Sequence, residues 1–336
     1  MTPHLPPPKD KRPKRFPPPE FPPRRPSLFA KTPPAIFPAI LGLLGLTIAL
    51  RLSLQAFGID QAPADLLAGV AVSLWAFAAM AYAAKMARRP AVVNEDLRVL
   101  PGRSGLSAMT IGAMAAAMIV LPYSQTVATV LVLAGLAGHL VLAALLVRLL
   151  ISLPAAGREV NPTWHLSFVG IIVAGPPTLA LGWGGLGEAL FWTALPTALL
   201  IWAMSLRQFM RLTPPAVLRP LLAIHMAPAA LLATVAAELG KVELAEVLVS
   251  LGAAYAFVLL VAARWMTEAG ISPLWGAFTF PLAALATAML VMGSGWQWPG
   301  VGLVAVGLVA IPAILWWILS RWPGGKLAAI TNAAEA

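Results

Sequence analysis

Residues 272–293 read SPLWGAFTFPLAALATAMLVMG, a run of 22 residues without a charged side chain. An α-helix needs about 20 predominantly apolar residues to cross the roughly 30 Å hydrocarbon core of a bilayer. The run therefore predicts a membrane-spanning helix with Pro281 in its interior. Strands of a membrane barrel would alternate apolar and polar residues over about ten positions, and this stretch does not.

Nine similar runs accompany this one in a chain of 336 residues that is 60% hydrophobic and only 11% charged. Such a composition excludes a water-soluble globule. We predict an all-α polytopic membrane protein with ten transmembrane helices. The other predicted spans are 35–54, 64–87, 105–122, 124–150, 164–182, 186–206, 217–238, 242–263 and 298–320.

The basic residues set the orientation of these spans. With the N-terminus inside, 21 of the 23 Lys and Arg residues fall on the inner side, and only Arg51 and Lys241 fall outside. Because cytoplasmic connections carry the excess of Lys and Arg, we expect both termini in the cytoplasm of a bacterial cell, with the spans in its inner (plasma) membrane. Residues 1–34, rich in proline and basic residues, predict a disordered tail, residues 35–322 the transmembrane domain, and residues 323–336 a short C-terminal tail.

The odd-numbered and even-numbered spans differ in their interior prolines. Odd-numbered spans contain Pro38, Pro176-Pro177, Pro228 and Pro281, whereas even-numbered spans contain only Pro196 and Pro312. A proline frees a backbone carbonyl, which in a membrane needs protein or water beside it. Similar Phe-Pro or Ala-Pro steps at residues 37–41, 227–231 and 280–284 suggest a repeated hairpin of about 63 residues. We therefore expect five tandem hairpins, with odd helices inside and even helices outside.

Catalytic and metal-binding patterns are absent from the sequence. There is no cysteine, and no H-E-x-x-H, G-x-S-x-G or phosphate-binding loop. We predict no enzymatic activity, no cofactor, no metal site and no nucleic-acid partner. His139 and His225 are the deeply placed titratable candidates, His165 is expected near a membrane interface, and Asn94-Glu95-Asp96 is expected in a solvated loop. Spans almost free of charge favour a passive pathway for a small solute, with basic inner mouths that attract anions.

The segment from Ser272 to Ala283, with its W-x-x-F-T-F-P core, resembles the signature helix of the tellurite-resistance/dicarboxylate transporter family, which includes the plant slow-type anion channels. KTPPAIFPAILGLLGLTIALR, NPTWHLSFVGIIVAG and AIHMAPAALLATVAAEL resemble the family's first, fifth and seventh helices, so the likeness covers about residues 32–320. It implies a homotrimer whose protomers each contain a pore lined by the five odd helices. It also implies that Phe280 plugs that pore. Plausible pore-lining neighbours are Phe37, Pro38, Phe168, Pro228, Gly276 and Pro281.

Several functions stay open at this stage. The leading hypothesis is an anion channel or uniporter gated by Phe280. The alternative is a proton-coupled carrier or exporter for an oxyanion, sulfite or dicarboxylate, with His225 or His139 as the proton relay. A membrane-embedded enzyme and a scaffold that acts through the proline-rich tail are the remaining classes.

Overall fold

The computed structural model describes residues 27–336, apart from the side chains of residues 155 and 156. All regular elements in this part of the chain are helical. The part of the predicted tail before Ser27 lies outside the described residues. We number the main helices in the order of the apolar runs. They are α1 Phe37–Ala56, α2 Ala62–Arg88, α3 Leu100–Val120, α4 Gln125–Ser152, α5 Gly175–Ala180, α6 Gly184–Phe209, α7 Met226–Glu238, α8 Val242–Val261, α9 Gly276–Met292 and α10 Gln297–Leu319.

Nine helical segments in this part of the chain are long and apolar enough to cross a bilayer. The remaining apolar run, His165–Ala180, is shorter and irregular: a π turn over His165–Val169 and a 3₁₀ turn over Gly170–Ala174 precede α5. Pro176 and Pro177 account for this irregularity, since neither can donate to a carbonyl four residues earlier. The predicted all-α, multi-pass membrane protein is confirmed.

Burial alternates along the chain. In α1, α3, α7 and α9 with their leading turns, 67 to 83% of the most apolar window is buried, against 22 to 33% in α2, α4, α6, α8 and α10. The first set, together with α5 and its leading turns, forms what we call the inner helices, and the second set forms the outer helices. α9 packs against both α1 and α7, and α1 also packs against α3. The inner helices thus contact one another, while the outer helices present apolar side chains to the lipid.

Three inner helices besides α5 begin in 3₁₀ turns: Pro34–Ile36 before α1, Ala216–His225 before α7 and Pro273–Trp275 before α9. Each turn precedes a proline in the α-helix, namely Pro38, Pro228 and Pro281. Because a proline cannot donate to the carbonyl four residues back, the chain ahead of it adopts the tighter turn. Irregular backbone of this kind is tolerated at membrane depth where protein or a cavity surrounds it.

The connection between α2 and α3 is folded against the bundle, with a short helix at Val92–Arg98. Asp96 is completely buried, so the expectation of a solvated loop at this position was wrong. Its carboxylate lies 2.9 Å from Lys85 Nζ and accepts hydrogen bonds from the Tyr82 hydroxyl and the Ala334 amide. Lys85 also donates to the Thr32 carbonyl, so segments from both ends of the described chain meet at this ion pair.

Candidate pore and gate

Two small voids adjoin each other among the inner helices, and together we call them the path. The entrance void, at the N-terminal ends of these helices, is lined by Ala35, Pro38, Pro101, Ser104, Leu166, Leu221, Ile224, Pro273, Leu274 and Ala277. The central void is lined by Ile111, His165, Leu166, Val169, Gly170, Val173, Ile224, Ala227, Pro228, Leu231 and Phe280. Leu166 and Ile224 belong to both walls. All the lining residues come from inner helices and their leading turns.

Each void measures about 20 Å³. Since a cavity needs roughly 10–15 Å³ to hold one water molecule, each void has space for about one. The walls carry no charged side chain, and their polar groups are the hydroxyl of Ser104 and the imidazole of His165. A hydrated ion could not pass such a path without a rearrangement of its walls.

Phe280 forms part of the central wall and is 6% exposed. It lies on α9, one residue before Pro281 and one after Thr279, whose hydroxyl donates to the Pro38 carbonyl at 3.1 Å. This bond joins α9 to α1 beside the ring. A Cβ atom on Gly42 would lie 2.2 Å from Thr279 Oγ1, so only glycine permits so close an approach of the two helices.

The structure brings together only some of the side chains that the sequence suggested as pore-lining. Pro38 lines the entrance void, and Pro228 and Phe280 line the central void. Gly276 lies beside this path, where a Cβ atom would approach Pro38 Cβ to 3.2 Å. Like Gly276, three others line neither void: Pro281 is buried within α9, Phe37 packs edge-on against Tyr82, and Phe168 packs against Trp164.

Two histidines form a buried pair that the sequence did not predict. His165 Nε2 lies 2.9 Å from His225 Nδ1, and the two rings stand edge to face. His165 is 2% exposed and lines the central void, so it is buried inside the bundle, and its expected position near a membrane interface stays a prediction. His139 lies apart from this pair, fully buried and 2.8 Å from Thr110 Oγ1. Within residues 27–336 no three His, Cys, Asp or Glu side chains cluster as metal ligands would.

Charged groups lie at the two ends of the path. Arg103, on the first turn of α3 beside Ser104, is buried, and its Nε donates to the Leu97 carbonyl at 3.1 Å. At the opposite end Arg51 forms an ion pair with Asp65 at 3.1 Å and donates to the Tyr123 hydroxyl at 2.9 Å. The hydrogen bond that Tyr123 donates to Asp65 raises the pKa of the phenol. The other basic residue of this side, Lys241, pairs with Glu188 at 3.1 Å.

A multi-pass helical protein whose inner helices enclose adjoining voids without charged walls has the architecture expected of a membrane transport protein. The chain belongs to the SLAC1 family of voltage-dependent anion channels, whose family model matches residues 31–320. The resemblance read from the ninth span is thereby confirmed, and the general function is anion transport across a membrane. No individual curated protein matches the chain.

Proposed function

We propose that the protein is a channel or uniporter that passes small anions along the path and is closed by the Phe280 ring. In this proposal the chain crosses the bacterial inner membrane ten times, in five hairpins, with His165–Ala180 as the fifth crossing. Both termini then lie in the cytoplasm, because the basic residues gather on that side. The protomers assemble as a homotrimer, as the family resemblance implies, and each has its own pore.

The observation that carries this proposal is the composition of the void walls. The entrance void receives residues from all five inner helices or their leading turns, and the central void receives residues from four of them. Phe280 is the one large aromatic ring in either wall. The Phe280 ring therefore occupies space that an anion would need on its way through the central void.

Electrostatics favour anions over cations on this path. Transfer of an unpaired ion into a dry, apolar constriction costs many kcal/mol, so a ring that excludes water is a sufficient gate without any charge. Arg103 and the other basic residues on the entrance side raise the local concentration of anions. Walls without fixed charge would not hold an anion tightly once it entered.

Replacement of Phe280 with alanine tests the gate. Removal of the ring should raise anion current in proteoliposomes or oocytes by roughly tenfold or more, since each 1.4 kcal/mol taken from a barrier raises a rate tenfold. Phe278→Ala is the matched control, because Phe278 lies on the same helix, packs on Trp275 and lines neither void. Unchanged current in a folded Phe280→Ala protein would falsify the gate.

The buried histidine pair supports a second candidate, a proton-coupled carrier or exporter for an oxyanion, sulfite or dicarboxylate. His165 lines the central void and hydrogen-bonds His225, so a proton could pass from the path to a second imidazole. In this candidate His225 relays the proton, and His139 is the alternative relay that the sequence suggests. His139 lines neither void, which favours the pair over His139.

The response of flux to a pH gradient separates the two candidates. A channel should give anion flux that ignores an imposed gradient, both in the parent and in His225→Ala. A coupled carrier should instead lose its pH-driven flux in His225→Ala and in His165→Ala, while His139→Ala should keep it. Uptake into liposomes at clamped membrane potential provides the measurement.

A further inference from the structure

A large apolar cleft opens on the side of the bundle between α6 and α8. Its volume is about 1030 Å³, and its floor is the 3₁₀ turn Ala216–His225 that leads into α7. We propose that this cleft binds one acyl chain of an anionic phospholipid from the cytoplasmic leaflet, whose phosphate is held by arginines at the open end. The inference uses the orientation of the proposed function but does not depend on the Phe280 gate.

The depth of the cleft matches one leaflet. On α8 its wall runs from Leu251 to Ala262. At 1.5 Å per helical residue this wall is about 16 Å long, close to half of the roughly 30 Å hydrocarbon core. Because α8 ends at Val261, the cleft lies in the half of the membrane next to the basic connections.

The cleft is suited to hydrocarbon because its backbone groups are already paired. Tyr255 from α8 donates its hydroxyl to the Leu222 carbonyl at 3.1 Å, and Trp202 from α6 donates its indole N–H to the His225 carbonyl at 3.1 Å. These bonds bring a donor from each wall to a carbonyl of the irregular backbone in the floor. The floor therefore needs no water, and the rings of Trp202 and Tyr255 become apolar walls.

One polar atom on the wall lacks a partner. Ser205 Oγ is buried and makes no hydrogen bond within the described part of the chain, although Ser205 lines the cleft. A serine in a helix commonly donates to its own backbone, so an unpaired hydroxyl here needs an acceptor. Because this Oγ is itself covered, the Ser205 side chain must change its rotamer to donate to the ester carbonyl of a lipid in the cleft.

Positive charge surrounds the open end. Arg207, Arg211 and Arg264 are exposed, adjoin lining residues, and form no ion pair among residues 27–336. Arg219 stacks on Trp265 at 4.3 Å and pairs with Glu268. With Glu159 as the other acidic residue at this end, the net charge stays positive and complements a headgroup with a net negative charge better than a zwitterionic one.

The cleft and the entrance void share a wall. Leu221, on the 3₁₀ turn, lines both spaces. An acyl chain in the cleft would therefore support the backbone that forms the cytoplasmic end of the path. A second copy of this chain could also cover the cleft, and the experiment separates the two occupants.

Native mass spectrometry of the purified protein with phosphatidylglycerol or phosphatidylcholine of identical acyl chains tests the site. Phosphatidylglycerol should stay bound at collision energies that remove phosphatidylcholine. Ala262→Phe should weaken this preference strongly, because the ring projects into the cleft near its open end, whereas Ala254→Phe should keep it, because Ala254 is exposed on α8 outside the cleft. Arg211→Gln and Arg264→Gln should each weaken phosphatidylglycerol binding about fivefold.

A second measurement avoids dependence on a bulky variant. The chain has no cysteine, so one fluorescent label can be placed at Ala263→Cys, which is exposed next to the cleft but not on its wall, or at Ala254→Cys. In vesicles of mostly phosphatidylcholine with a little brominated phosphatidylglycerol, the label at residue 263 should be quenched more than the label at residue 254. Equal quenching, or equal retention of both lipids, would overturn the proposal. So would a loss of oligomers in Ala262→Phe with lipid retention unchanged, which would assign the cleft to a second copy. Neither readout depends on conductance, so failure here leaves the gate untouched.

Discussion

Phe280 and Gly45 face each other across the contact between α9 and α1. A Cβ atom on Gly45 would lie 3.2 Å from Cδ2 and 3.4 Å from Cε2 of the ring, and 3.0 Å from Ala283 Cβ. The absence of a side chain at residue 45 therefore provides space that the ring uses. Since Gly42 and Thr279 hold the same two helices in close contact, movement of the ring requires a change of its rotamer rather than separation of the helices.

Gly45→Ala should destabilise the protein because the added methyl group overpacks this contact. We expect a cost of about 1–3 kcal/mol, seen as a lower melting temperature of the purified protein. In the Phe280→Ala background the cost should shrink, though not vanish, because Ala283 remains near. Gly302→Ala on α10, where a Cβ atom would meet nothing within 4 Å, should change little in either background. Equal losses with and without the ring would show that Phe280 is not the obstacle.

The division into inner and outer helices could be predicted from the sequence because it has a local cause. An interior proline frees a carbonyl that lipid cannot satisfy, so proline-bearing helices were expected inside, and the burial of α1, α7 and α9 agrees. The W-x-x-F-T-F-P core of α9 identified the family for a different reason, since it is a pattern shared between relatives. Composition alone would not have distinguished this helix from the others.

Contacts between distant segments could not be predicted in the same way. Asp96 appeared solvated because its neighbours Asn94 and Glu95 are polar, yet its partners include Ala334, 238 positions away. His165 begins an apolar run, and no residue near it in the sequence indicated a partner. The spacing of these residues is the one related feature that the sequence contains. His165 pairs with His225 and Ser107 with Ser167, and each pair is 60 residues apart. That separation is close to the hairpin repeat, so equivalent positions of successive inner helices meet.

The buried ion pair between Lys85 and Asp96 should be essential as a pair. Lys85→Met would leave Asp96 buried with a charge and no cation, which typically costs about 3–5 kcal/mol. Melting temperature should fall strongly, and limited proteolysis should release the C-terminal residues near Ala334, whose amide donates to the same carboxylate. The double variant Lys85→Met/Asp96→Asn should recover part of the loss, because no unpaired charge remains.

The exposed pair Arg89–Glu95 in the same connection is the control for that prediction. Its side chains are 43% and 45% exposed, against 0% for both members of the buried pair. Surface ion pairs contribute about 0–1 kcal/mol, so Arg89→Met should barely move the melting temperature. A similar loss in both single variants would mean that the connection is sensitive to any change and that burial is not the cause.

The ion pair at the far end of the path should control how strongly that end attracts anions. Asp65 forms an ion pair with Arg51, so the charge of Arg51 is largely cancelled. Arg51 also donates to the Ile119 carbonyl at 3.1 Å, which places it beside the end of α3, where the pathway would leave the bundle. Asp65→Asn in the Phe280→Ala background should therefore raise anion entry from that side, since an uncancelled positive charge concentrates anions locally. The increase should appear in current recorded at about 0.01 M salt, where the screening length is about 30 Å, and fade near 1 M, where it is about 3 Å.

The position of the released charge distinguishes this effect from a general change in surface potential. Glu243→Gln removes the same charge from an exposed site at the start of α8, an outer helix, and serves as the matched control. Its effect on current should be much smaller at low salt, because Glu243 neutralises no cation on the inner helices. If both variants raised the current equally, the Arg51–Asp65 pair would have no special place on the path, and the exit of the pathway would have to lie elsewhere.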